Sequence, residues 1–122
     1  MKKTVIVLGL LASVGIVQQA HAQGSAAGYP GRPIRLVVGF PPGGATDFLA
    51  RILAQHMPDS IGQSVVVDNR GGATGTIAAA LVAKAPADGY TLMMVPSGPF
   101  TISVSTYKNL SYDAVRDFQG VS

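Results

Sequence analysis

Three loops carry the residues best placed for chemistry. They span 40–46, 69–75 and 96–100, and all are rich in Gly, Pro, Ser or Thr. Pro41-Pro42-Gly43-Gly44 precedes a helical pattern, and Gly71-Gly72-Ala73-Thr74-Gly75 precedes another. A helix start presents unpaired backbone N–H groups and a partial positive charge. Glycine lets a ligand approach that backbone closely. Two such starts facing one crevice hold an anion without any Lys or Arg. Each element also has a plainer reading. Pro41–Gly44 can simply end a strand and open a helix. Asp47 fits the helix dipole better than it fits an anionic ligand, which a bare carboxylate repels. Arg70 offers a fork to a carboxylate or a solvated loop side chain. Asn69 caps or braces its turn. Ser97 donates a hydroxyl or shapes its loop.

Enzymatic chemistry finds little support. There is no G-x-x-x-x-G-K-[ST] phosphate loop, no G-x-G-x-x-G fingerprint and no G-x-S-x-G elbow. The chain has no Cys and no Glu, and its two histidines are His21 and His56. His56 sits near a helix end, where a dipole contact suits it better than catalysis. No catalytic residue, metal site or cofactor is expected.

The elements that must position these loops follow from the apolar pattern. Ile34–Phe40 is a near-continuous apolar run, as in a strand buried on both faces. Ala45, Phe48, Leu49, Ile52, Leu53 and His56 repeat at helical spacing, and Pro58, Asp59 and Gly62 close that helix. Ser64–Asp68 reads as a second strand, Thr76–Ala85 as a second helix and Tyr90–Val95 as a third strand. Residues 101–108 favour a short helix over a strand. Phe118–Ser122 reads as the start of another strand. The β-α-β-α-β order predicts a parallel sheet with right-handed crossovers. Ligands then gather beyond the carboxyl ends of the strands, where all three loops lie.

Met1-Lys2-Lys3, the apolar run Thr4–Val17 and Ala20-His21-Ala22 have the order of a secretory signal peptide over residues 1–22. The run is shorter than the roughly 20 residues of a spanning helix. Residues 23–28 read as a flexible start and 29–122 as the folded part. The whole chain has 9 basic and 6 acidic residues, +3. Without Lys2 and Lys3 the balance is 7 against 6, or +1. No basic patch for nucleic acid remains. Without cysteine, the fold rests on burial alone.

Four motifs, in order, resemble the Bug-type receptors of tripartite tricarboxylate transporters. The first is Tyr29-Pro30-x-Arg32-Pro33-Ile34 through Phe40-Pro41-Pro42-Gly43-Gly44-Ala45-Thr46-Asp47 and Leu49-Ala50-Arg51. The second is Gly62-Gln63-x-Val65-Val66-Val67-x-Asn69-Arg70-x-Gly72-Ala73-x-Gly75-x-Ile77. Val82-Ala83-Lys84-Ala85-Pro86-x-Asp88-Gly89-Tyr90-Thr91-Leu92 and Tyr112-Asp113-x-Val115-x-Asp117-Phe118 complete the set. The resemblance implies a periplasmic-binding-protein-like α/β lobe that captures a small carboxylate for membrane permease subunits. The ligand class it implies is di- or tricarboxylates, acidic amino acids or aromatic acids. By matching position it points to Phe40, Gly43, Gly44, Ala45, Thr46 and Asp47, and also to Asn69, Gly75 and Ser97. Gly39 stands where the family more often has a larger residue or proline, and Thr74 interrupts a more usual glycine pair. Members of the family run to roughly twice this length or more, as two ordinary domains require. The chain is therefore expected to stop before a second lobe and, alone, to bind weakly. The alternatives are a non-functional remnant of such a receptor and an exported α/β enzyme.

Overall fold

The computed structural model describes residues 28–121. The expected export signal and most of the expected flexible start therefore lie outside the described residues. Three strands form one parallel sheet: β1 (Ile34–Val38), β2 (Val65–Asn69) and β3 (Thr91–Met94). Their order is β2-β1-β3. β1 is central because it is apolar at four of its five positions and can be covered on both faces. Ile34 pairs with Val65 on one side, and Arg35 with Thr91 on the other.

The two crossovers run in opposite directions from β1. With one handedness, they place α1 (Ala45–Ile61) and α2 (Thr76–Ala83) on opposite faces. Burial agrees. Ile34, Leu36 and Val38 form one core with Ala50 and Val65, joined by Ala54, Met57 and Ile61. Val37 points to the other face by strand alternation, where Ala78 and Ala79 of α2 are also fully buried. Burying Val37 or Val38 contributes about 1.5–3 kcal/mol each relative to exposure. No described helix is long and apolar enough to cross a membrane.

The periodicity of α1 is helical as expected, but its buried face is not the one with the large apolar residues. Asp47, Ala50, Ala54, Met57 and Ile61 face the sheet. Phe48 and Leu49 are 65% and 50% exposed, and Ile52 and Leu53 are also exposed. Small side chains let the helix lie close to the strands, and this displaces the bulky stripe outward. Pro58 sits inside the last turn instead of ending the helix. Its ring removes the bond that the Ala54 carbonyl would have accepted, yet the helix continues to Ile61. Gly62 is the stop, left-handed at φ 72°, with its N–H donating to the Pro58 carbonyl at 2.9 Å.

Other boundaries shift for visible reasons. β2 begins at Val65, and Ser64 joins it only through its carbonyl, which accepts from the N–H of Ile34 at 2.9 Å. α2 ends at Ala83, ahead of Pro86, with a last turn closed by the Ala85 N–H on the Val82 carbonyl. α3 (Ser97–Thr106) begins inside the expected loop 96–100. Pro99 falls in its first turn, where proline is tolerated. The expected strand from Phe118 is absent over 118–121. A strand needs a neighbour to pair with, and Phe118 instead packs edge-on against Phe100 at 4.9 Å and Tyr112 at 5.8 Å.

At the opposite end of the sheet from the three loops, the chain start is clasped to the β3 entry. The Tyr29 hydroxyl donates to the Gly89 carbonyl at 2.6 Å, and the Gly31 N–H donates to the Tyr90 hydroxyl at 2.8 Å. Arg32 pairs with Asp88 at 2.9 Å and lies 4.2 Å from the Tyr90 ring centre.

Candidate functional site

All three strands point the same way, so their carboxyl ends open onto one edge. α1, the 73–75 turn leading to α2, and α3 all start there. No side chain caps any of these starts. At α1 the N-cap is a glycine, so its first-turn N–H groups have no capping side chain at the place where an open α/β sheet receives ligands.

The loops touch one another. A Cβ on Gly39 would come within 3.0 Å of the Gly75 Cα, and one on Gly71 within 3.2 Å of Pro41. The Arg70 N–H extends the β1–β2 pairing by donating to the Val38 carbonyl at 2.7 Å. Gly39 is thus a contact position between the first two loops, which accounts for the absence of a larger residue. Gly39→Ala pushes backbone against backbone and is expected to cost about 1–3 kcal/mol. A urea titration reads it as a lowered midpoint with an unchanged slope.

Beneath the first loop lies a closed polar network. Asp47 is only 3% exposed. Its Oδ2 accepts from the Gly43 N–H at 2.8 Å and from Arg51 Nε at 2.9 Å. Its Oδ1 accepts from Asn69 Nδ2 at 2.9 Å. The same Asn69 amide donates to the Phe40 carbonyl at 3.1 Å. One carboxylate and one amide thus tie residues 40 and 43 to the helix and to the end of β2. The guanidinium of Arg51, then the Gly43 N–H and the Asn69 amide, hold Asp47 down from 3.8 to about 2. It stays charged at any ordinary pH.

The network sorts the expected site residues. Gly43, Gly44 and Ala45 are exposed at the loop tip and helix start, and Thr46 is half-buried behind them. Gly43 has φ +88°, which favours glycine, and Gly44 is the extended N-cap of α1. Phe40 packs against the core below the tip. Asp47 and Asn69 face each other inward, with their hydrogen-bonding capacity used within the protein. Gly75 is buried at φ +86° and marks the start of α2. Ser97 is the first residue of α3, so its backbone reaches the same edge. Ala73 and Thr74 hold positive φ values of 44° and 56°. Such a backbone costs non-glycine residues on the order of 1–3 kcal/mol, most for a branched side chain. Arg70 turns to Asp68 at 3.0 Å, which also holds Arg35, so it is a paired arginine. These arginines, Arg35 foremost, lower the Asp68 carboxyl below its usual range.

Arg51 is the residue that sequence reasoning left without a role. Its only local signal is its i+4 spacing from Asp47. Among the described residues, no group of three His, Cys, Asp or Glu side chains could hold a metal. A shallow groove of about 290 Å³ lies elsewhere, between α2 and residues 107–112, and none of its lining residues is charged.

A parallel 2-1-3 sheet with its helix starts gathered at one edge defines an open α/β lobe. The comparisons agree. The description "Tripartite tricarboxylate transporter family receptor" matches residues 49–122, and the chain belongs to that family. It is 44% identical to Protein BugT of Bordetella pertussis over 124 residues, which cover 100% of this chain and 37% of BugT. Among solved structures, periplasmic binding protein BugD matches with TM-score 0.70 and 46% identity, over 74% of this chain and 30% of BugD. R. palustris Rpa4515 with adipate matches with TM-score 0.67 and 45% identity, over 71% and 29% of the two chains. MatC from Rhodopseudomonas palustris with bound malate matches with TM-score 0.70 and 38% identity, over 74% and 31%. The chain spans little more than a third of the length of BugT. The family comprises periplasmic solute-binding receptors, not enzymes.

Proposed function

We propose that this chain captures a small dicarboxylate or related organic acid and presents it to the permease of a tripartite transporter after export to the periplasm. One carboxylate seats at the start of α1, against the backbone N–H groups of residues 43–46. The helix starts after β2 and β3, at Gly75 and Ser97, form the rest of the floor. The observation that carries this reading is the uncapped start of α1, fixed from below by Asp47 and Asn69. A helix start offers N–H donors and positive potential to an anion and needs no basic side chain. The relatives solved with adipate and malate support a carboxylate ligand.

Titration of the ¹⁵N-labelled chain with adipate, malate, citrate, glutamate and benzoate tests it. At least one acid is expected to move the amide signals of Gly43, Gly44, Ala45 and Thr46, with a Kd on the order of millimolar for a site open on one side. The corresponding neutral amide moves them far less. Shifts confined to the Arg32 or Arg116 surroundings, or none with any acid, would sink the assignment.

A further inference from the structure

We infer that Arg51 raises the affinity of this site for an anion without touching the ligand, by cancelling the charge of Asp47. The inference rests on the proposed seat for a carboxylate at the start of α1. Asp47 belongs to the first turn of that helix and bonds the Gly43 N–H, so its charge lies directly beneath the loop tip. The carboxylate is needed there as a brace, since it joins residue 43 to Asn69. A bare negative charge in that place opposes an incoming anion. Arg51 lies one turn further along the helix and pairs with the same oxygen that holds Gly43. Its guanidinium also reaches towards Asn69 Oδ1, at 3.5 Å, behind the network. The brace therefore carries no net charge, and the field of the helix start acts on the ligand unopposed. A unit charge several ångströms from a carboxylate, at an effective dielectric between that of protein and water, changes affinity by about tenfold.

The test compares wild type, Arg51→Gln, Asp47→Asn and the double variant in adipate titrations at low and high salt. Arg51→Gln keeps the stem and a donor but loses the charge. It is expected to weaken adipate binding about tenfold at low salt, with a smaller loss at high salt. The double variant is expected to return to within about threefold of Asp47→Asn alone, because no charge then needs cancelling. Arg51→Lys restores most of the affinity and controls for loss of fold. Unchanged binding in Arg51→Gln overturns the inference. So does an equal loss in the double variant, which would assign Arg51 a direct or purely structural part. Wild type that binds no carboxylate removes the proposed seat itself, and that outcome is read before any variant is compared.

Discussion

Asp47→Ala is expected to lower the melting temperature at neutral pH by roughly 10 °C and to flatten the acid limb of the stability profile. The substitution leaves the Gly43 N–H, the Asn69 amide and Arg51 without their shared acceptor. Gly43 and Arg51 can turn to water, but the half-buried Asn69 amide is less able to, and a donor left without its partner inside a protein costs more than the bond it lost was worth. The pH dependence follows from the depressed titration. The Asp47 carboxyl titrates at about 2 in the folded chain against an ordinary 3.8. The unfolded chain thus binds more protons between those values, so stability rises with pH across that window and is lost as the pH is lowered through it. The stabilisation is complete above about pH 4 and gone below about pH 2. Asp68, Asp113 and Asp117 are also shifted down, by arginines or by backbone N–H groups. Acid therefore still unfolds the variant, over a shallower slope. Circular dichroism melts at intervals from pH 2 to 7 decide it. A variant with the wild-type acid limb would remove Asp47 from its place in the network.

The second large effect comes from neighbouring positions on α1. Ala50→Arg is expected to abolish cooperative folding, while Leu49→Arg leaves the melting temperature nearly unchanged. Ala50 is 0% exposed against β1 and Leu49 is 50% exposed. An unpaired charge forced into the core costs several kcal/mol, a large share of the stability of a small domain. A surface substitution usually falls within about 0.5 kcal/mol. Far-ultraviolet melts of the two variants side by side give the answer. Equal damage in both would mean that the bulky stripe of α1 is packed after all.

That pair of positions also marks where the sequence stops being readable. The alternation of apolar strands with helical patterns is local, so the parallel sheet and the first two helices follow directly from it. The orientation of α1 does not. A count of large apolar residues selects Phe48, Leu49, Ile52 and Leu53, whereas the sheet accepts Ala50, Ala54 and Met57 because close approach favours small or pliable side chains. The segment 118–121 reads as a strand by composition, yet pairing depends on a neighbour, and Phe118 goes to Phe100 and Tyr112. For the site, the glycine-rich loops announce themselves and their helix starts follow. The partnership of Asp47 with Asn69 spans two different elements and needs the fold to be seen. Arg51 was within reach, since an acid and an arginine four apart on a helix commonly meet.

The position of β1 has a kinetic consequence. It is the first strand in the chain and the middle strand of the sheet, so neither of its partners is local. Ile34 must wait for Val65, and Arg35 for Thr91, before any ladder closes. Loop closure of that length comes before the contacts that reward it, which slows folding. The β1–β2 ladder can close once Asn69 has emerged, but the other edge of β1 stays unpaired until β3 has followed it.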